Sequence, residues 1–261
     1  MEIHPGPDGI FTCYVPENKR GENPGILSNA EKGGSNVPKR STYIRISGEY
    51  QHPEWGLIPF FYRIYPGANM SDFNVIRNKR YHTGITITGT NENDKRVYCP
   101  DKLDVDDKNA NCYIINHDGY YFFNATIQGN GVGCPKPAVS GYYGQEITPA
   151  TMEPVDAFCV WKTDEELIEE VLTYKDYLCF TAGEVESGNA VVGIQEEDTA
   201  PGEVAWSWHI WVTDEPLTYE FNDLTWMDRN LGATSNTYDA EGKARGMYYQ
   251  WGRKDPFVGA I

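Results

Sequence analysis

The sequence predicts a mainly β protein. Three observations carry this. Apolar residues alternate with polar ones over short runs, aromatic content is 13%, and 26 Gly and 16 Pro divide the 261 residues into strand-length pieces. The clearest run is Ala205 to Asp214, which holds three of the seven tryptophans. Its alternation places Trp206, Trp208, Ile210 and Val212 on one face and Ser207, His209 and Trp211 on the other, so this strand must cover a core.

Charge divides the chain. Residues 1–97 carry a net charge of +2 and residues 98–261 a net of −18, within a total of −16. The shift marks a domain boundary near residue 98. An acidic C-terminal portion excludes nucleic acid and anionic membrane surfaces as partners, because both require basic patches. Its simplest role is solubility. No apolar leader follows Met1, and Phe257 to Ile261 reads as a chain without a closing element, so we expect a fragment cut at both ends.

Taken in order, residues 1–40 are turn-rich, with a short strand over Phe11 to Val15 and a long loop from Asn18 to Lys39. Ile44 and Ile46 face inward on the next strand. Phe60, Tyr62 and Ile64 share a face on the one after it, and Pro66-Gly67-Ala68-Asn69 is a turn. Tyr81 to Thr88 alternates as a strand, with Asn78 satisfying backbone groups at the turn before it. Residues 98–110 read as an acidic linker. Asp107, Asn109, Asn111 and Asp118 mimic a calcium loop there, but Cys112 stands where glycine is needed and Asp118 where a bidentate glutamate belongs. A solvated linker is the preferred reading, and no metal site is assigned.

Beyond the linker, Cys112 to Asn116 and Tyr120 to Ala125 flank Asp118-Gly119 as a hairpin. Residues 129–144 form a Gly/Pro loop. Thr163-Asp164-Glu165-Glu166 is a capping box proposing a short helix, although Val171 to Phe180 could equally continue as strands. Six cysteines allow 15 pairings, and no CxxC pair indicates zinc. The five histidines lie apart, and His209 reads as a satisfied core or edge histidine. No nucleophile elbow, zinc-binding histidine pair or phosphate-binding glycine loop is present, so no enzyme activity and no cofactor is expected.

Several blocks carry a family resemblance. Tyr62 to Asn69, Asp72 to Tyr81 and Ile85 to Thr90 resemble the end of a fimbrillin-like (Mfa-like) domain from surface lipoproteins and pilus subunits of Bacteroidales. Ala110 to Asn116, Gly188 to Val191 and Trp206 to Trp211 resemble the β-sandwich that follows it. Trp226 to Leu231 with Tyr249 to Arg253 is similar to the opening of the paralogous, lectin-like module first named from Fibrobacter. The resemblance implies two β-sandwich domains in tandem plus a truncated C-terminal α+β module. Residues 1–97 form the fimbrillin-like sandwich, 98–110 the linker, 111–216 the second sandwich and 217–261 the start of the lectin-like module.

It further implies a non-enzymatic adhesion protein or a fimbrial tip or accessory subunit at the cell surface or outer membrane. Its partners would be other fimbrial or surface subunits, and membrane contact would come only through a lipid anchor absent from this fragment. Asp198-Thr199-Ala200 matches the short O-glycosylation pattern of exported Bacteroidales proteins. The alternative is a carbohydrate-binding module for host or dietary glycans. Its platform would be Trp211, Trp226 and Trp251, with Asp228, Arg229, Asn230, Gln250 and Arg253 supplying hydrogen bonds, provided these aromatics are exposed. Buried, they are packing groups, and Asp228-Arg229 is an ion pair that fixes a loop.

Overall fold

A computed structural model describes residues 9–10, 12–86, 93–105, 109–128, 151–200, 202–238, 241–250 and 254–257. The protein is mainly β, with thirteen strands and no α-helix among the described residues. It divides into two compact units, Met1–Cys99 and Pro100–Ile261.

In the first unit, β1 (Ile44–His52), β2 (Gly56–Ile64) and β3 (Val97–Tyr98) form one antiparallel sheet in that order. The β1–β2 turn closes on His52, whose Nδ1 accepts from the backbone N–H groups of Glu54 and Trp55 while its ring stacks on Trp55 at 4.3 Å. On β2, Phe61 as well as Tyr62 and Ile64 are buried, so both faces of the strand are covered. The Arg63 guanidinium lies 4.7 Å from the rings of both Tyr43 and Tyr98.

Ile26, Tyr65 and Phe73 make a second small core. Beside it the buried Asp72 carboxylate organises the 66–74 turn, accepting from the N–H of Ala68 (2.7 Å) and the N–H of Asn74 (3.0 Å). Only one sheet lies among the described residues of this unit, where a sandwich was expected. Tyr81 to Thr86 is not a strand, and Ile87 and Thr88 lie outside the described residues. The Tyr81 hydroxyl instead accepts from Ile76 N–H and donates to the Asn74 carbonyl, tying the residue to a turn. Asn78 takes a left-handed φ of 58°, as a turn asparagine does.

The second unit is a two-sheet sandwich. One sheet runs β5 (Cys112–Ile115), β11 (Trp206–Val212), β10 (Gly188–Gln195), β7 (Asp156–Lys162). The other runs β4 (Asp101–Lys102), β6 (Gly119–Asn124), β9 (Tyr177–Ala182), β8 (Ile168–Tyr174). Their facing side chains make one core. Trp208, Ile210 and Val212 enter it from β11 as the alternation requires, and Trp208 meets Phe123 edge-on at 5.0 Å.

Three expectations are corrected here. The 98–110 stretch is more than a solvated linker: it supplies β4, and its Asp104 is buried, accepting from Asn124 N–H at 3.2 Å. Cys112–Ile115 and Gly119–Asn124 do not pair as a hairpin. β5 runs parallel to β11, with Cys112 opposite His209, while β6 belongs to the other sheet, so Asp118-Gly119 turns a corner between sheets. The capping box starts no helix. Asp164 Oδ1 accepts from Glu166 N–H at 2.8 Å within a turn, and the chain enters β8 at Ile168. The expected Gly/Pro loop at 129–144 lies outside the described residues, as does the short strand's Phe11.

Residues 217–261 do not stand apart as a third compact unit. They open with β12 (Thr218–Phe221) and β13 (Leu224–Met227), a hairpin whose two-residue turn Asn222-Asp223 has φ of 53° and 59°. Both values suit the tight turn that matches strand twist. The following residues return over the outer face of the β11 sheet. That face carries Ser207, His209, Trp211 and Thr213, all buried.

Candidate functional site: an exposed hairpin and its root

The predicted residues separate on the structure. Trp211 is fully buried, and its Nε1–H donates to the Ala233 carbonyl at 3.1 Å. It is a packing group and offers no ring to a sugar. Trp226 is 55% exposed on β13, and Gln250 is exposed. Trp251 and Arg253 lie outside the described residues, as does Asp107 of the calcium pattern.

Arg229 roots the hairpin. Its Nε donates to Asp228 Oδ1 (2.9 Å) and its Nη2 to Asp228 Oδ2 (3.1 Å). Nη1 reaches Asp214 Oδ1 (2.6 Å) and the Thr213 hydroxyl (3.1 Å), and Nη2 also reaches Asp214 Oδ2 (3.1 Å). A guanidinium so engaged has no donor left for a ligand. Hydrogen bonds from Arg229 hold both carboxylates below the usual aspartate range. The arginine therefore joins the end of β11 to the end of β13. Asn230 Nδ2 donates to the Arg245 carbonyl at 3.2 Å. Beside this root, Trp226, Met227, Asp228, Asn230, Ser235 and Asn236 line a depression of about 300 Å³.

The hairpin itself is exposed on every residue. Cross-strand register pairs Tyr219 with Trp226 and Phe221 with Leu224, which puts these four side chains on one face. The opposite face carries Thr218, Glu220, Thr225 and Met227, and the Thr225 hydroxyl donates to Glu220 Oε1 at 2.6 Å. Each of the four apolar-face residues is more than half exposed. The sequence reading assigned Trp226 a surface role but passed over Tyr219, Phe221 and Leu224. The signal was there, in Asn222-Asp223 between two alternating runs.

A second cluster lies under the return segment. Cys112 Sγ is 3.3 Å from His209 Nδ1, His209 Nε2 is 2.9 Å from Asn189 Oδ1, and Asn189 Nδ2 donates to the Gly232 carbonyl at 2.9 Å. The amide orientation fixes the proton on Nε2. Thiol, imidazole and amide in this sequence resemble a nucleophile relay. Here burial raises the Cys112 thiol to about 12 and lowers His209 to about 4, the latter partly opposed by Asp255. Thiol and imidazole both stay neutral at pH 7, and the chain of bonds fixes β5, β10, β11 and the 232 segment together. Ser207, whose hydroxyl donates to Asp255 (2.8 and 2.9 Å), and Lys254, which donates to Ser207 Oγ (2.6 Å), add a second tie.

A pH dependence follows. The folded His209 titrates near 4 and the unfolded one near 6.5, so between these values the unfolded chain binds more protons. His209 is expected to contribute a fall of about 3 kcal/mol in the stability of the second unit as pH drops from 6.5 to 4, and His209→Gln should remove that part of the slope. Urea titrations across that pH range measure it.

Among the described residues, no group of three or more His, Cys, Asp or Glu is placed to hold a metal ion. No helix there is long and apolar enough to cross a membrane. The Thr199 hydroxyl of Asp198-Thr199-Ala200 accepts from Glu196 N–H at 2.9 Å.

The architecture thus defines a mainly β protein whose second unit is a sandwich with an arginine-rooted hairpin on display. A family model described as a domain of unknown function, DUF4906, matches residues 13–97, within the first unit. No curated protein and no solved structure matches the chain.

Proposed function

We propose that this chain is a non-enzymatic cell-surface protein of a Bacteroidales bacterium, acting by contact, as an adhesion protein or as a tip or accessory subunit of a fimbrium. It would be exported and held at the outer membrane by a lipid anchor, with other surface subunits as its neighbours. The observation that carries the reading is the exposed apolar face of Tyr219, Phe221, Leu224 and Trp226 on a hairpin held by Arg229. Contiguous exposed apolar patches of several hundred Å² are often functional surfaces. The order of the fimbrillin-like, sandwich and lectin-like sequence blocks supports the same class.

A second reading, a glycan-binding module, is favoured by one feature: the Trp226 ring borders a depression that also holds Asn230 and Asn236. A glycan and glycoprotein array separates the two. Glycan binding abolished by Trp226→Ala, with the circular dichroism spectrum intact, would establish the lectin reading. Binding to protein surfaces without any glycan requirement, lost in Phe221→Ser/Trp226→Ser, is the result the adhesion reading expects.

A further inference from the structure

We propose that the apolar face of the β12–β13 hairpin docks a cationic polypeptide segment that itself carries an apolar face. This rests on the reading of the protein as one that works by contact, and it names the chemistry of the partner. The face presents Leu217, Tyr219, Phe221, Leu224 and Trp226, each more than half exposed. At roughly 100 Å² of exposed side chain apiece, the patch is on the order of 500 Å², within the size that marks functional patches on monomers.

Its rim has one sign of charge. Between Asp214 and Asp228 the chain holds Asp214, Glu215, Glu220, Asp223 and Asp228, and no Lys, Arg or His. The next cation along the chain, Arg229, is paired with Asp214 and Asp228, so Glu215, Glu220 and Asp223 carry the segment's uncompensated charge. A partner seated on the face therefore gains by bringing positive charge to the rim and apolar groups to the centre. The same charge pattern disfavours the other occupants. A second copy would set three uncompensated carboxylates against three, and an anionic bilayer would be repelled. A saccharide needs hydrogen-bonding groups in the plane of its platform, whereas this face holds only the tyrosine hydroxyl and the indole N–H among aliphatic and phenyl groups. Among the described residues β12 and β13 form a two-stranded sheet with no further strand on its outer edges, which leaves backbone groups for an extended partner.

The test uses the full chain and two labelled probe peptides, one alternating lysine with leucine and the other glutamate with leucine, followed by fluorescence anisotropy at physiological salt. The lysine–leucine peptide is expected to bind saturably and one to one, at least about tenfold more tightly than its glutamate counterpart. Phe221→Ser/Trp226→Ser and, separately, Glu220→Lys/Asp223→Lys should each weaken it about tenfold or more. Glu184→Lys/Glu186→Lys, with the same charge change at exposed residues elsewhere on the unit, should leave it unchanged.

Equal binding of both peptides, or loss in the Glu184/Glu186 control as large as in the hairpin variants, overturns the proposal. So does self-association abolished by the hairpin variants, which would assign the face to a second copy. Adsorption to phosphatidylcholine vesicles through Phe221 and Trp226 would assign it to a bilayer. Failure of the contact reading is visible separately. Cells displaying Phe221→Ser/Trp226→Ser would attach as wild type does, whatever the peptides show. Reduced attachment without lysine–leucine binding would leave the contact reading standing and remove only the cationic partner.

Discussion

Replacing Trp208 by alanine is expected to destabilise the second unit by about 3–5 kcal/mol, the range for large aromatics removed from a closed core. Trp208 is buried at the centre of β11, opposite Val192 on β10, with its ring edge-on to Phe123 of the facing sheet. Deleting it removes the group that fills the space between the sheets, and the strands on either side are held by their own ladders and cannot collapse into the void. The melting temperature of this unit should fall by about 10 °C. Trp226→Ala on the exposed hairpin should change stability by only about 0.5 kcal/mol or less. The contrast between two tryptophans 18 positions apart is read by thermal melts of the two variants. A small loss for Trp208 would mean that the sheets do not pack as described.

The second large effect is expected in the first unit, from Gly67→Ala. A Cβ at Gly67 would lie 1.8 Å from the backbone carbonyl oxygen of Asp72, with the Lys32 ammonium 2.9 Å away. The Lys32 side chain can move aside but the Asp72 backbone cannot, so the 66–74 turn must open. Overpacking costs about 1–3 kcal/mol where side chains can adjust, and a backbone clash should reach or exceed the top of that range. Opening the turn also strips Asp72 of the Ala68 N–H and pulls Lys32 from the Asn69 carbonyl it reaches at 2.9 Å. Hydrogen exchange at Ala68 and Phe73 should accelerate in the variant, while exchange in residues 100–261 stays as in wild type.

How much of this was legible depends on the range of the interactions. The inward set on β11 followed from period-2 alternation, because a strand's side chains divide between faces whatever it pairs with. The covering of the outer face did not follow. Trp211 is buried by residues around Ala233, and no periodicity within β11 encodes a later segment's return. The Asp118-Gly119 turn looked like a hairpin because corner and hairpin use the same turn chemistry. The choice was made by β5 pairing in parallel with a strand nearly a hundred residues away. Asp164 caps a turn as it would cap a helix, so only the β8–β9 ladder decides the state of Ile168 to Tyr174. In the hairpin, Asn222-Asp223 and the alternation about it were local and readable. Arg229 was read as either a ligand contact or a loop-fixing pair, and its bonds to Asp214 and Asp228 decide for the pair.

The central claim is that the hairpin face is the working surface. The most direct measurement is attachment of cells that display the full-length protein, comparing wild type with Phe221→Ser/Trp226→Ser at equal surface amounts verified by flow cytometry. The account predicts a loss of attachment or of incorporation into fimbriae of about tenfold or more, with the sandwich still folded. Attachment and incorporation both equal to wild type would contradict it.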